Sequence, residues 1–319
     1  AVRVASGDSG REQDHLQASR CQASRLPRGI AKHPMTDYAD RFWTSRDGLK
    51  LHYRDYAGRD DRPPVLCLPG LTRNARDFAD VAARLAGEWR VICPDLRGRG
   101  DSAYAKDSAS YNPLQYVDDV TLLLEQEGIE RVVAFGTSLG GLMTMIMAMM
   151  APQRLAGALL NDVGPEIEPE GLERIRGYVG QGRNFPTWMH AARALEESQG
   201  DVFPDWEIAD WLAMAKRCMV VGSNGRIHFD YDMRIAEPFS KPGGEAGVDM
   251  WPGVAALAGC PVLLVRGELS QILSAATLER MTAMLPGAEA VTVPRVGHAP
   301  MLDEPEAVTG IDRLLARIG

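Results

Sequence analysis

Short apolar runs alternate with amphipathic stretches in the part of the chain that begins near residue 65. The apolar runs are three to six residues long, and turn-forming residues such as Pro, Gly or Asp lie close to their ends, which is typical of buried strands. In chain order they read VLCL, VIC, VVAF and LAGALL. The stretches NARDFADVAARLAG and NPLQYVDDVTLLLEQEG lie between them and place apolar residues at helical spacing. This alternation predicts a parallel sheet with helices on both faces.

Predicted strands and helices alternate again near the C-terminus. The order there is strand, helix, strand and helix, in the stretches CPVLLVRG, SAATLERMTAMLPG, AEAVTVP and EPEAVTGIDRLLARIG. On the N-terminal side, RFWTSRDGLKLHYRDYAG has two short alternating runs around Asp47-Gly48, which predicts a β-hairpin. We therefore expect an α/β fold with a mostly parallel, doubly wound sheet.

Residues 164–253 interrupt this alternation of strands and helices. Three helix-like stretches follow one another there with no strand between them, and only RIHFDYDM reads as a short extended piece. We interpret this region as an inserted helical cap, which divides the core into residues 35–163 and 254–319. Residues 1–34 lack an apolar run and therefore a signal peptide, so we interpret them as a disordered leader or an added upstream segment.

Composition narrows the possible partners. The 319 residues carry a formal charge of −8, which disfavours nucleic acid and anionic membranes as partners. No window approaches the roughly 18 apolar residues of a membrane span. The five cysteines form no CxxC pair, which favours free thiols and a reducing cytoplasm. We expect a cytoplasmic monomer or homodimer.

The stretch VVAFGTSLGGLMTMIMAMMA carries the clearest chemical signal. Its sequence Gly136-Thr137-Ser138-Leu139-Gly140 matches G-x-S-x-G, directly after a predicted strand and directly before a predicted helix. A sharp reversal there exposes the serine hydroxyl and brings the flanking glycines against neighbouring backbone. The helix N-terminus favours negative charge that develops beside the serine. We interpret the Met-rich run as a buried helix and not as a cofactor or metal motif.

Four stretches together resemble the α/β-hydrolase superfamily, and specifically its cap-bearing serine esterase-like members. The resemblance spans about residues 41–318. LCLPGLTRNARDF is similar to the oxyanion-hole turn, VICPDLRGRGDSA to the turn after the next strand, FGTSLGG to the nucleophile elbow and RVGHAPMLDEP to the loop of the catalytic histidine. The resemblance implies an α/β-hydrolase fold and a serine nucleophile at Ser138.

The resemblance also implies partners for the serine. His298 follows the last predicted strand and is expected to act as the base, because a serine hydroxyl is a weak nucleophile without one. The backbone amides of Leu71 and Leu139 are expected to form the oxyanion hole. Here Pro69-Gly70 replaces the His-Gly that is usual in the family before Leu71.

The catalytic acid is the open point. The family usually has an Asp in the loop that here reads RGELSQILS, where Gln271 stands instead. A glutamine can orient an imidazole but cannot neutralise an imidazolium. Asp162, at the tip of a preceding strand, is one substitute and Glu268 is another. The third possibility is an incomplete triad.

The sequence thus predicts a cofactor-free and metal-free serine hydrolase that cleaves carboxylic esters of small, largely apolar molecules. Trp188, Trp211 and Met301 are expected to line the substrate pocket beneath the cap. Lactone, thioester or C–C bond hydrolysis would use the same parts. A different class of function also stays open, namely a ligand-binding module with little turnover, and Gln271 is the reason for it.

Overall fold

An eight-stranded sheet forms the centre of the molecule in a computed structural model that describes residues 37–240 and 249–318. The expected leader at residues 1–34 lies outside the described residues. The strands are β1 (Tyr38–Thr44), β2 (Lys50–Tyr56), β3 (Val65–Leu68), β4 (Val91–Pro94), β5 (Val132–Thr137), β6 (Leu155–Asn161), β7 (Asn184–Phe185), β8 (Met219–Val221), β9 (Ile227–Phe229), β10 (Val262–Gly267) and β11 (Glu289–Val293).

The order of strands across the main sheet is β1-β2-β4-β3-β5-β6-β10-β11. β1 and β2 form the predicted hairpin, with Thr44 paired to Lys50, and β2 runs antiparallel to β4. Every other neighbouring pair is parallel. The mostly parallel α/β sheet predicted from the apolar rhythm is therefore confirmed.

Helices cover both faces of this sheet. They are α1 (Ala79–Leu85), α2 (Pro113–Gln126), α3 (Leu139–Met150), α4 (Pro169–Tyr178), α5 (Trp188–Gln199), α6 (Ile208–Cys218), α7 (Trp251–Ala256), α8 (Ala275–Met284) and α9 (Pro305–Ala316). Within β3, Val65 and Cys67 join a core cluster with α1 and α9, whereas Leu66 and Leu68 join one with α2 and α3. Successive side chains of a strand point to opposite faces, so both faces must be covered by apolar helices.

The Met-rich run forms α3, in the layer behind the sheet. Met143, Met145 and Met147 are buried, as expected for a core helix, while Met149 and Met150 at its end are exposed. The cysteines of the described residues, Cys67, Cys93, Cys218 and Cys260, are free thiols. No helix in the described ranges is both long enough and apolar enough to cross a membrane.

The insertion between β6 and β10 contains helices and a small sheet. α5 packs against α6, and β7, β9 and β8 form a three-stranded antiparallel sheet beside them. Only one short extended piece was expected here, because strands of two or three residues show no measurable periodicity. The boundary expected at residue 253 falls inside α7, where a Cβ on Gly253 would lie 2.9 Å from the Cβ of Met145 in α3.

Candidate active site

Ser138 occupies a sharp turn between β5 and α3. Its backbone has φ +52° and ψ −115°, a conformation that L-residues rarely adopt. A Cβ on Gly136 would lie 2.3 Å from the carbonyl oxygen of Gly140, and a Cβ on Gly140 would lie 2.0 Å from that of Leu68. Backbone cannot give way as a flexible side chain can. The two glycines of the G-x-S-x-G motif are therefore required by close approach of the main chain.

His298 lies in the loop after β11 and contacts both expected partners. Its Nε2 is 2.9 Å from Ser138 Oγ, and its Nδ1 is 2.8 Å from Asp162 Oδ2. The loop is held from the cap side as well, since the Gly297 amide donates a 2.7 Å hydrogen bond to the Val202 carbonyl. The structure thus brings together a hydroxyl, an imidazole and a carboxylate in the order that a nucleophile, its base and an orienting acid require.

Asp162 lies directly after β6 and is completely buried. One oxygen accepts a 2.9 Å hydrogen bond from the Gly267 amide. The other accepts bonds from Ser270 Oγ, at 2.7 Å, and from His298. These donors satisfy the oxygens of a carboxylate that is completely buried, as a buried polar group requires. Ser270 was not singled out in the sequence, although it stands in the loop where the family acid was sought.

The two other positions considered for the catalytic acid, Gln271 and Glu268, have partners other than His298. Gln271 is exposed, and its Oε1 accepts a 3.3 Å hydrogen bond from Arg174. Glu268 Oε2 accepts a 2.7 Å bond from the backbone amide of Arg295. Neither side chain makes a recorded contact with His298, so Asp162 is the candidate acid that lies within hydrogen-bond distance of the imidazole.

A further side chain, Asn161, fastens the histidine loop to the sheet. Its Nδ2 donates to the carbonyl of Pro300 at 2.8 Å and to Thr137 Oγ1 at 3.1 Å. The residue is completely buried, and it joins Thr137, the last residue of β5, to the loop after β11. It had no sequence signal of its own, because its role depends on two segments that lie far away in the chain.

The two amides expected at the oxyanion hole flank Ser138. Leu139 is the first residue of α3, where backbone N–H groups have no intrahelical acceptor. The turn before Leu71 passes close by, since a Cβ on Gly70 would lie 3.8 Å from the Cβ of Ser138. Neither amide has an acceptor among the described residues. Buried Arg99, which the sequence did not single out, fixes this turn by donating a 2.9 Å bond to the Leu71 carbonyl.

A cavity of about 110 Å³ opens at Ser138 and His298. Met301, which was expected in the substrate pocket, lines it, and so does Leu71, which was expected at the oxyanion hole. Trp188 and Trp211 are not among its lining residues in the described part of the chain. Its aromatic residues are Phe78, Tyr178 and Phe203.

The two tryptophans were expected in the pocket, but they stabilise the cap itself. Trp211 is 1% exposed, and its ring lies edge-on to Trp206, with the ring centroids 4.8 Å apart. Trp206 in turn stacks on Phe203 at 3.9 Å. Trp188 packs against the same core cluster as these residues. These tryptophans of the cap therefore pack against other apolar side chains and do not line the cavity.

A second buried histidine–aspartate pair lies away from this cavity. His52 Nδ1 is 2.7 Å from Asp95 Oδ2, and its Nε2 is 2.9 Å from Asp40 Oδ1. Burial lowers the pKa of His52, but the contacts with Asp95, together with those of Asp40 and Asp101, outweigh burial and leave that pKa raised. Asp95 also accepts from the amides of Ala75 and Asp101. This pair joins β2 to the turns around β4.

The sequence matches the Alpha/beta hydrolase family over residues 65–311. A 3-hydroxybutyrate-oligomer hydrolase of Cupriavidus necator is 35% identical over 266 residues, which cover 81% of this chain and 90% of that protein. An esterase of Mycobacterium tuberculosis is 30% identical over 265 residues, 79% of this chain and 82% of its own.

Solved structures agree with these sequence matches. The crystal structure of an alpha/beta hydrolase from Novosphingobium aromaticivorans has 67% sequence identity and a TM-score of 0.86, and the match covers 89% of this chain and 100% of that one. The family match covers most of the chain, and it includes the nucleophile turn, the tip of β6 and the histidine loop. The protein belongs to the alpha/beta hydrolase family.

Proposed function

We propose that the protein is a serine hydrolase that cleaves carboxylic esters through an acyl-enzyme. The observation that carries this proposal is the continuous hydrogen-bonded series from Ser138 Oγ through His298 to Asp162. Each of the three side chains is held by a different loop at the same edge of the sheet. The series ends in a cavity that a small substrate can enter.

The reaction begins when His298 Nε2 takes the proton of Ser138 Oγ as that oxygen attacks the acyl carbon. The carbonyl π electrons move onto oxygen, and the amides of Leu71 and Leu139 donate to the oxyanion. Buried Asp162 stabilises the imidazolium through Nδ1. Loss of one such oxyanion donor typically costs about 3–4 kcal/mol in barrier height.

Collapse of the tetrahedral intermediate breaks the bond to the leaving oxygen, and His298 gives that oxygen its proton. The alcohol departs and leaves the acyl group on Ser138. His298 then removes a proton from water, which attacks the acyl carbon. In the last step the Ser138 oxygen leaves and recovers its proton from His298, so that the acid is released and the enzyme is regenerated.

The substrate class is supported by the relatives and by the cavity. The relative from Cupriavidus necator acts, by its name, on oligomers of 3-hydroxybutyrate. Such hydroxy acids are joined by carboxylic ester bonds, so a 3-hydroxybutyrate dimer is a reasonable first substrate for this chain. Phe78, Phe203 and Met301 provide apolar contact for a short acyl or alcohol chain. Lactone, thioester and C–C bond hydrolysis need the same catalytic groups.

The alternative of a low-turnover binding module rested on Gln271 in place of an acid. Asp162 offers His298 the carboxylate that Gln271 lacks. The contact therefore favours turnover over mere binding.

The proposal is tested by replacing the nucleophile. Ser138→Ala is expected to lower kcat for a p-nitrophenyl ester by about 10⁶-fold, the scale seen when a catalytic serine is removed. A fluorophosphonate should label the wild-type protein at Ser138, as peptide mass spectrometry would show. Ser223→Ala, which removes an exposed serine in the cap, is the matched control and should behave as wild type. Retained turnover in a clean Ser138→Ala preparation would refute the serine mechanism.

A further inference from the structure

A second cavity, of about 230 Å³, adjoins the one at Ser138. The two cavities share four lining residues, Thr72, Arg73, Tyr178 and Gln199. The second cavity is enclosed by the ends of α4 and α5, by the small cap sheet and by the turn at residues 72–73. A substrate whose ester lies at Ser138 can therefore extend its far end into this space.

The charges that line the second cavity are of one sign. Arg73 and Arg183 line it, and none of its lining residues in the described part of the chain is Asp or Glu. The protein as a whole has a formal charge of −8, so a cation-only lining differs from the rest of the molecule. A cavity of this kind attracts an anionic group.

The two arginines differ in what they already bind. Arg73 donates to both oxygens of Asp77, at 2.6 and 2.5 Å, and Asp77 lines only the cavity at Ser138. Burial lowers the pKa of Arg73, but the charge and hydrogen bonds of Asp77, together with the nearby Cys218 and Tyr178, leave that pKa raised. Arg183 is exposed and has no carboxylate partner among residues 37–240 and 249–318. Its guanidinium is thus available to a ligand.

We propose that the second cavity binds the carboxylate end of the substrate, with Arg183 as the residue that recognises it. This inference rests on the proposed ester hydrolysis and adds the substrate's charge to it. The ester bond lies at Ser138, the chain between passes Tyr178 and Gln199, and the terminal carboxylate meets Arg183. The guanidinium of an arginine can donate two parallel hydrogen bonds to one carboxylate.

The preferred substrate is accordingly a short, acid-terminated ester. A dimer of a hydroxy acid has this form, because one end keeps a free carboxylate while the internal bond is an ester. The expectation of a largely apolar substrate is sharpened in this way. The apolar part lies near Ser138, and one anionic end lies beneath the cap.

The test compares two substrates that differ only in that charge: a 3-hydroxybutyrate dimer and the same dimer with its carboxylate converted to a carboxamide. For wild type, we expect a lower KM with the acid. Arg183→Gln should raise the KM for the acid by about tenfold, the scale of one charge-assisted contact. Its KM for the carboxamide should not change, and kcat should stay within twofold for both. Arg183→Lys should restore part of the preference.

Arg193→Gln is the matched control. Arg193 is an exposed cap arginine on α5 that lines neither cavity, so the change removes the same charge from the same module. It should leave both KM values unchanged. An equal effect of Arg183→Gln on the two substrates, or no effect on either, would overturn the subsite.

A binding measurement separates this inference from the proposed function. In the Ser138→Ala background, calorimetry with the acid dimer should give a Kd about tenfold weaker after Arg183→Gln. Failure of wild type to hydrolyse any ester would refute the proposed function and leave this binding comparison intact. Hydrolysis with an unchanged Kd would refute the subsite alone.

Discussion

Two histidine–aspartate pairs in the described part of the chain have nearly the same geometry and different surroundings. The distance from Nδ1 to the carboxylate is 2.8 Å for His298 and Asp162, and 2.7 Å for His52 and Asp95. The second ring nitrogen of His298 faces the Ser138 hydroxyl, whereas that of His52 faces the Asp40 carboxylate. The side chain of His298 is 18% exposed at a cavity, and that of His52 is 1% exposed.

A hydrogen-bonded histidine–aspartate pair therefore does not by itself mark a catalytic site. A base must exchange protons with a substrate, so one of its nitrogens needs a nucleophile and access to a cavity. Each ring nitrogen of His52 lies within hydrogen-bond distance of a carboxylate, which fixes the ring in place. His298 has a carboxylate on one side only, so its other nitrogen is free to take part in proton transfer.

Between the two pairs, the largest effect is expected from the carboxylate beside His298. Asp162→Asn should lower kcat by about 10⁴-fold, because the amide no longer fixes the tautomer or stabilises the imidazolium. Gln271→Asp should change turnover little, and Glu268→Gln is the matched control for loss of a nearby carboxylate. Steady-state kinetics on one ester measures all three. Strong activation by Gln271→Asp, with Asp162→Asn nearly silent, would place the acid at residue 271.

A change at the His52–Asp95 pair should lower the stability of the protein and leave its turnover unchanged. His52→Gln removes a buried hydrogen bond to a carboxylate and should lower the free energy of unfolding by about 2 kcal/mol. Turnover of the folded protein should stay within twofold. Denaturant unfolding gives the first quantity and ester kinetics gives the second. Loss of activity without loss of stability would mean that His52 acts in the reaction.

The smallest expected effect is a change with pH in the stability that His52 contributes. The pKa of His52 is raised in the folded protein because the neighbouring carboxylates, chiefly Asp95, together outweigh burial. Its stabilising contribution is therefore fully present below the unfolded pKa of about 6.5 and is lost as the pH rises through the folded pKa. One proton limits the slope to about 1.4 kcal/mol per pH unit. The difference in unfolding free energy between wild type and His52→Gln, measured from pH 6 upward, should shrink, and a constant difference would contradict this.

Much of the core could be predicted because its signals are local. A parallel strand buried on both faces is a short apolar run, and each of β3 to β6 has one. The G-x-S-x-G motif is also a local signal, although only Gly136 is required by a contact within the turn; Gly140 is required by the carbonyl of Leu68 in β3. Parallel strands present their carboxyl ends at one edge, so the order of the motifs placed His298 near Ser138.

The cap resisted prediction for the opposite reason. β7 has two residues, and β8 and β9 have three each, which is too short for any pattern of alternation. The sequence showed that tryptophans were concentrated there, but not which way they faced. Trp211 and Trp206 pack on Phe203 within the cap, whereas Phe203 itself reaches the cavity.

The sequence alone was enough to predict the sheet, the nucleophile turn and a candidate base, because a motif of adjacent residues marks each of them. Only the tertiary structure shows that Asp162, and not Glu268 or Gln271, lies within hydrogen-bond distance of His298, since that contact depends on where loops distant in the chain converge. It also shows that Arg73 is paired with Asp77, whereas Arg183 is exposed and has no carboxylate partner in the described part of the chain. Contacts between distant segments are set by packing of the whole chain, and no local pattern encodes them.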